Sequence, residues 1–208
     1  MKLKKIASLA LAGIMAVSML AGCKDGGNTN DDPVPETPVS NAVTYANDVL
    51  SGAQKAVFEF EGNADFDAAV RAVVTDGTKF SSAMIDQYDT IYYAANRMTA
   101  LETEIGDELD GDVVTSLSTV SESGTKKQVF AYVVSGNLEE KAAVDMMVSA
   151  FANLINRTNF PATYGNTYNL DYTSNVSALK VSSPDDSSKS VWVLSVVVSQ
   201  TATEAANA

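Results

Sequence analysis

Histidine is absent from this chain of 208 residues, and cysteine occurs only once. Without histidine, Ser-His-Asp and Cys-His mechanisms and the usual zinc sites lack their base or ligand. Arginine is also scarce, and its three occurrences are Arg71, Arg97 and Arg157. A clamp of several arginines around an anion is therefore not expected. These absences exclude most conventional catalytic centres before any fold is considered.

The single cysteine, Cys23, follows a pattern that is typical of an export signal. Three lysines among the first five residues precede an apolar run of small residues over 6–20, the order that signal peptides share. This run is about 15 residues long, and a membrane-spanning helix needs roughly 20. It ends in Leu20-Ala21-Gly22-Cys23, which resembles the lipobox of bacterial lipoproteins. A plain secretory signal and an uncleaved membrane helix are the alternatives.

The resemblance implies that residues 1–22 are a signal peptide and that Cys23 becomes the lipidated first residue of the mature chain. Cys23 would carry a thioether-linked diacylglyceryl group, with or without a further N-acyl chain. Two or more acyl chains anchor a protein stably, whereas one chain binds only marginally. We therefore expect a lipid anchor in the cell membrane, with the protein on the extracytoplasmic face. The thiol would then be unavailable for catalysis or for a disulfide.

Acidic residues dominate the remaining chain. Residues 1–22 contain three of the 14 basic residues and none of the 26 acidic ones, so the mature charge is 11 − 26 = −15. Nucleic acid is not an expected partner, because phosphate binding needs clustered lysine and arginine. We favour the interpretation that the charge keeps an exported protein soluble. A site for cations or basic peptides is the alternative.

The composition divides the mature chain into a tether and one domain. Residues 23–40 comprise the lipidated cysteine and a segment rich in glycine, asparagine, aspartate and proline, which predicts a disordered tether. Residues 41–208 are enough for a single domain with its own core. Apolar residues at helical spacing predict three helices in its first half, over 42–57, 66–74 and 80–109. Asn63 or Asp65 is expected to cap the second of these helices.

The second half of the domain follows a different pattern. The predicted elements are strands over 113–120 and 128–134, a helix over 138–156, one long or two shorter strands over 164–181, and a strand over 191–198. The last strand is apolar on both faces, which fits a central position in a sheet. The predicted fold class is α+β, with three N-terminal helices followed by β-β-α-β-β. Its sheet would be four-stranded and antiparallel, with a helix packed on one face.

Tyr164, Tyr168 and Tyr172 are the candidate ligand-binding residues, together with Asn166. In a continuous strand, residues two or four apart share a face, so all four side chains would line one side. A row of tyrosines beside asparagine can stack on sugar rings or hold a peptide through rings and hydroxyls. In the alternative interpretation, one or two of the tyrosines cover the edge of the core.

Acidic clusters offer weaker candidates for a site. The cluster over 107–112 lacks the ligand spacing of a calcium loop, and a helix that turns into a strand explains the same residues. We therefore expect no metal and no cofactor. Paired carboxylates hydrolyse glycans in many enzymes, but chance pairs are certain to occur among 26 acidic residues.

The sequence predicts a membrane-anchored, non-catalytic binding or interaction module. Its expected partner is a cell-envelope glycan, a peptide or a protein. A structural or assembly lipoprotein that binds no small ligand is the alternative. A carboxylate-dependent glycan hydrolase is the third and least favoured hypothesis.

Overall fold

The computed structural model describes residues 40–109 and 111–206, so Cys23, the predicted signal peptide and the predicted tether up to residue 39 lie outside the described residues. The described part contains six helices and seven strands. In chain order they are α1 (Ala42–Val49), α2 (Gly52–Lys55), β1 (Phe60–Glu61), α3 (Ala64–Val74), α4 (Ser82–Tyr88), β2 (Asn96–Arg97), α5 (Thr99–Glu108), β3 (Asp112–Val113), β4 (Gly124–Ser135), α6 (Glu140–Ala152), β5 (Thr163–Tyr164), β6 (Tyr168–Ser182) and β7 (Ser190–Glu204).

Three long strands form the centre of a single mixed sheet. The strand order is β1-β6-β7-β4-β2, with β3 also paired to β4 and β5 to β6. Strand β7 is antiparallel to both β4 and β6, so β4 and β6 run parallel to each other. Helix α6 connects these two parallel strands, and β7 then inserts between them, as in a split βαβ unit. The short strands β1 and β3 pair in parallel with β6 and β4 respectively.

Helices cover both faces of the sheet. The face that presents Phe130 and Leu194 packs against α1 and α6, and we call it the α6 face. The opposite face presents Val133 and Val193 to α3, α4 and α5, and we call it the α3 face. Successive strand residues point to opposite sides, so the continuous apolar run of β7 contributes to both cores. This arrangement buries every side chain from Val191 to Val198 except the half-buried Trp192.

The predicted four-stranded antiparallel sheet with a helix on one face is wrong. Across residues 40–109 and 111–206 the sheet has seven strands, two of them paired in parallel with a long neighbour. A helix layer on one face alone would leave the other apolar face of β7 in water, so helices on both faces are favoured. Four of the strands have only two residues each, and so short a segment does not indicate which strand it pairs with.

The predicted helix over 80–109 is interrupted. Helix α4 ends at Tyr88, and α5 begins only at Thr99. The segment between them bonds to the ends of the central strands: the Ser190 amide donates to Asp89 Oδ1 at 2.9 Å, and the Ser135 amide donates to the Ile91 carbonyl at 3.0 Å. These tertiary hydrogen bonds replace the helical ones at this point.

The second predicted helix is confirmed together with one of its two expected caps. Asn63 Oδ1 accepts a hydrogen bond from the Phe66 amide at 3.0 Å, which satisfies one of the unpaired amides of the first turn of α3. Asp65 lies inside this turn as a negatively charged residue near the positive end of the helix dipole. This cap fixes where α3 begins above the sheet.

Candidate functional site

A turn divides the predicted row of tyrosines. Tyr164 lies on β5 and stands opposite Tyr168, the first residue of β6. The chain reverses at Gly165, whose φ of 58° lies in the left-handed region that glycine adopts without a Cβ clash. Asn166 is exposed within the turn rather than on a strand. The structure therefore brings Tyr164 and Tyr168 together across a hairpin and places Asn166 at its tip.

Tyr168 and Tyr172 hold the loop over 114–123 against the end of the α6 face. The Tyr168 hydroxyl donates to the Ser121 carbonyl at 3.1 Å. Gln200 Nε2 donates to the Tyr172 hydroxyl and to the Leu117 carbonyl, both at 3.0 Å. The Tyr172 ring also packs edge-to-face on Phe160, with 5.3 Å between the ring centroids. Burial raises the pKa of the Tyr172 hydroxyl. These two tyrosines thus have structural partners, whereas the Tyr164 ring is 38% exposed.

An open cleft of 550 Å³ lies on the opposite side of the sheet, and we call it the polar cleft. Its floor is formed by two neighbouring rows of the α3 face. Thr173, Ser199 and Lys127 make one row across β6, β7 and β4, and Asn175 and Val197 belong to the next. The floor therefore offers hydroxyl, amide and ammonium groups beside one apolar side chain.

Helices α3 and α5 supply the walls of the polar cleft. From α3 come the cap residue Asn63, Asp65 and a series of small or apolar side chains, and from the end of α5 come Glu108 and the following Leu109. The Glu108 carboxylate accepts a hydrogen bond from Lys79 Nζ at 2.7 Å, and this bond raises the pKa of Lys79. Two carboxylates, Asp65 and Glu108, thus line the same cleft.

The cleft is open because the helices leave this end of the sheet uncovered. Helix α5 ends at Glu108, and after its first turn α3 lines the cleft only with the small side chains of Ala68, Ala69 and Ala72. The sequence contained a signal for the floor residues. Thr173, Asn175 and Ser199 are polar at alternate positions of strands whose other ends are apolar, a pattern that marks an uncovered part of a sheet face.

No group of three or more acidic residues in the described part of the chain is arranged to hold a metal ion. The acidic cluster over 107–112 falls at the end of α5 and the start of β3, apart from residue 110, which lies outside the described residues. None of the described helices is long and apolar enough to cross a membrane. What the described residues provide is hydrogen-bonding groups around a cleft.

No protein-family model, no curated protein and no solved structure matches this chain.

Proposed function

We propose that this protein is a lipid-anchored extracytoplasmic binding module whose polar cleft takes a glycan segment of the cell envelope. The observation that supports the ligand is the composition of the cleft, which combines two carboxylates, one ammonium group, two amides and two hydroxyls around a strip of apolar surface. The support for the anchor is the lipobox-like ending at Cys23. No described residue bears on that part of the proposal.

The chemistry of the cleft favours a sugar over an apolar ligand. Its volume falls within the roughly 300–1,000 Å³ of ligand sites, but such sites are usually lined by hydrophobic side chains. Here Asn63, Thr173, Asn175 and Ser199 offer donors and acceptors that match the vicinal hydroxyls of a sugar ring. Val197 offers an apolar contact for the C–H face of the ring.

A glycan also fits better than an extended peptide. Peptides that bind sheets commonly add a strand to an exposed edge, where main-chain hydrogen bonds supply affinity. The polar cleft instead lies over a sheet face, with its floor residues on the three central strands β6, β7 and β4. The ligand must therefore be recognised through side chains, as a polyhydroxylated molecule is.

A test is the binding of a soluble β-1,4-linked N-acetylglucosamine oligomer, a chemical analogue of a wall glycan, measured by isothermal titration calorimetry. We expect Asn175→Ala to weaken binding by roughly two- to tenfold, since a lost hydrogen bond contributes about 0.5–1.5 kcal/mol. Asn169→Ala is the matched control, because Asn169 is an exposed residue of β6 outside the cleft. Equal affinity of the two variants, or no binding by the unaltered protein, would contradict the proposal.

One observation favours a second candidate function, glycan hydrolysis. Asp65 and Glu108 line the same cleft, and two facing carboxyl groups are what glycoside hydrolysis requires. Chromatography of the oligomer after prolonged incubation with the protein distinguishes glycan binding from glycan hydrolysis. Shortened products that disappear in Asp65→Asn would establish hydrolysis, and an intact oligomer that still binds would establish a binding module.

A further inference from the structure

Tyr92 and Tyr93 are the most exposed large side chains with hydrophobic surface in the described part of the chain. The exposed fractions are 53% for Tyr92 and 81% for Tyr93. Both residues lie in the segment that interrupts the predicted long helix, between α4 and β2. Their exposure leaves apolar ring surface in water, and contact with a partner would bury that surface favourably.

The backbone below these tyrosines is tied to the ends of the central strands. The carbonyl of Ile91 accepts from the Ser135 amide at 3.0 Å, at the end of β4. The carbonyl of Asp89 accepts from Asn137 Nδ2 at 3.4 Å and from the Ser135 hydroxyl, while its carboxylate accepts from the Ser190 amide at the start of β7. The two rings therefore project from a fixed base rather than from an untied loop.

The chain enters the domain at this same end of the sheet. The Ser40 hydroxyl and the Asn41 amide donate to Glu140 Oε1 at 2.8 and 2.9 Å. Glu140 begins α6, which follows directly after the end of β4 at Ser135. The entry point and the exposed tyrosines thus share one end of the molecule, which we call the entry end.

The length of chain before the entry end limits its distance from a membrane anchor. Sixteen residues separate Cys23 from Ser40, and that length spans about 55 Å when fully extended and about 23 Å as a coil. With Cys23 acylated, the entry end is the part of the domain whose distance from the bilayer this length limits directly. Tyrosine is enriched where membranes meet water, because its ring is apolar and its hydroxyl is polar.

We propose that Tyr92 and Tyr93 contact the headgroup region of the bilayer and orient the domain with its entry end towards the membrane. This inference rests on the lipid anchor of the proposed function. The chain's own charge argues for an uncharged lipid surface, since residues 23–208 carry −15 and anionic lipid would repel them. At the entry end, Lys141 and Lys189 are paired with Asp145 and Asp86, at 2.7 and 3.1 Å.

The experiment uses the full chain, expressed with residues 1–22, in phosphatidylcholine vesicles with brominated acyl chains, which quench nearby tryptophan fluorescence. Tyr93→Trp keeps an interfacial aromatic residue at the site. Tyr164→Trp is the matched control, because Tyr164 is also exposed but lies beside Tyr168 at the far end of β6. Both variants share the fluorescence of Trp192, the single native tryptophan. We expect bromine to quench the added tryptophan at position 93 and to leave the one at position 164 unchanged.

Vesicle flotation distinguishes failure of this inference from failure of the anchor. Protein that floats with the vesicles but shows equal quenching at the two positions retains its anchor and overturns the membrane contact. Protein that does not float refutes the anchor, and the membrane contact with it. On vesicles without bromine, a loss of tryptophan fluorescence at position 93 that increases with protein density would indicate contact between copies of this chain. That result would also overturn the proposal.

Discussion

The tyrosines of this protein differ in whether their hydroxyl groups have hydrogen-bond partners within the domain. Tyr172 is the clearest case, because its hydroxyl accepts from Gln200 while its ring packs on Phe160. Gln200 in turn holds the Leu117 carbonyl, so one buried amide joins β6, β7 and the loop over 114–123. The candidate residues Tyr168 and Tyr172 thus have structural partners, and Tyr92 and Tyr93 are left as the prominent exposed rings.

The environment of Tyr172 predicts a dependence of stability on alkaline pH. Burial raises the pKa of its hydroxyl above the ordinary value of 10.0, although the hydrogen bond from Gln200 opposes the shift. The contribution to stability is therefore fully present below pH 10 and is lost as the pH rises through the folded-state pKa. We expect Tyr172→Phe to lose less stability than the unaltered protein between about pH 8 and about pH 10.5.

Urea unfolding at the two pH values measures this effect. Tyr93→Phe is the control, since the ring of Tyr93 is 81% exposed. The hydrogen bond lost with the Tyr172 hydroxyl lowers the stability of the variant at both pH values and largely cancels in the difference. Equal pH dependence in Tyr172→Phe and in the unaltered protein would show that burial of this hydroxyl does not affect stability.

At the level of elements, the three central strands combine close packing with unpaired polar groups. Ala131, Ser195 and Ser177 form one row of small side chains across β4, β7 and β6 on the α3 face. Small residues allow helices to approach the sheet closely. The hydroxyls of Ser177 and Ser195 are buried and have no hydrogen-bond partner among the described residues. Their burial therefore costs free energy that no bond offsets.

The unpaired hydroxyls of this row predict that two serine-to-alanine substitutions differ in their effect on stability. Ser195→Ala keeps the small volume and removes an unpaired hydroxyl, so we expect the free energy of unfolding to stay equal or rise by up to about 1 kcal/mol. Ser135→Ala is the matched comparison in β4, because its hydroxyl donates to the Asp89 carbonyl and accepts from the Asn137 amide. We expect that variant to lose roughly 1–3 kcal/mol. Chemical unfolding of both proteins checks the order, and the reverse order would refute this account.

On the scale of the whole molecule, the polar cleft and the entry end lie at different ends of the sheet. Strand β7 begins at Ser190 at the entry end and reaches Ser199 on the cleft floor nine residues later, a distance of about 30 Å along a strand. With the entry end towards the membrane, as proposed above, the cleft would lie farther from the bilayer than the entry end does. A glycan of the envelope would then be within its reach.

Lipid attachment at Cys23 can be tested separately from ligand binding. We expect Cys23→Ser to move the protein from the membrane fraction to the soluble fraction, because the acyl chains would have no attachment site. Its affinity for the N-acetylglucosamine oligomer should stay unchanged, since the cleft lies within the described domain. Retention of the variant in washed membranes would show that something other than the lipid holds this protein there.

Local sequence patterns predicted the elements that have strong patterns of their own. Helices α3 and α6 and strands β4 and β7 were all expected, and α3 is capped by Asn63, one of the two residues expected at that position. The predicted helix over 80–109 was wrong at its centre, because Asp89 and Ile91 bond to strand ends far away in sequence. The periodicity of apolar residues reflects contacts between near neighbours only. It therefore cannot reveal that hydrogen bonds to distant strands replace the helical ones at this point.

The sequence by itself determined which chemistry is unavailable, since a chain without histidine and with one cysteine cannot form the common nucleophilic or zinc centres. It also predicts the anchor at Cys23, a local motif that needs no fold. Only the tertiary structure decided that helices cover both sheet faces and that Asn175, Ser199 and Asp65 share a cleft. The physical reason is that strand pairing and helix docking depend on contacts between distant residues, and the spacing of neighbours does not show which distant residues make those contacts.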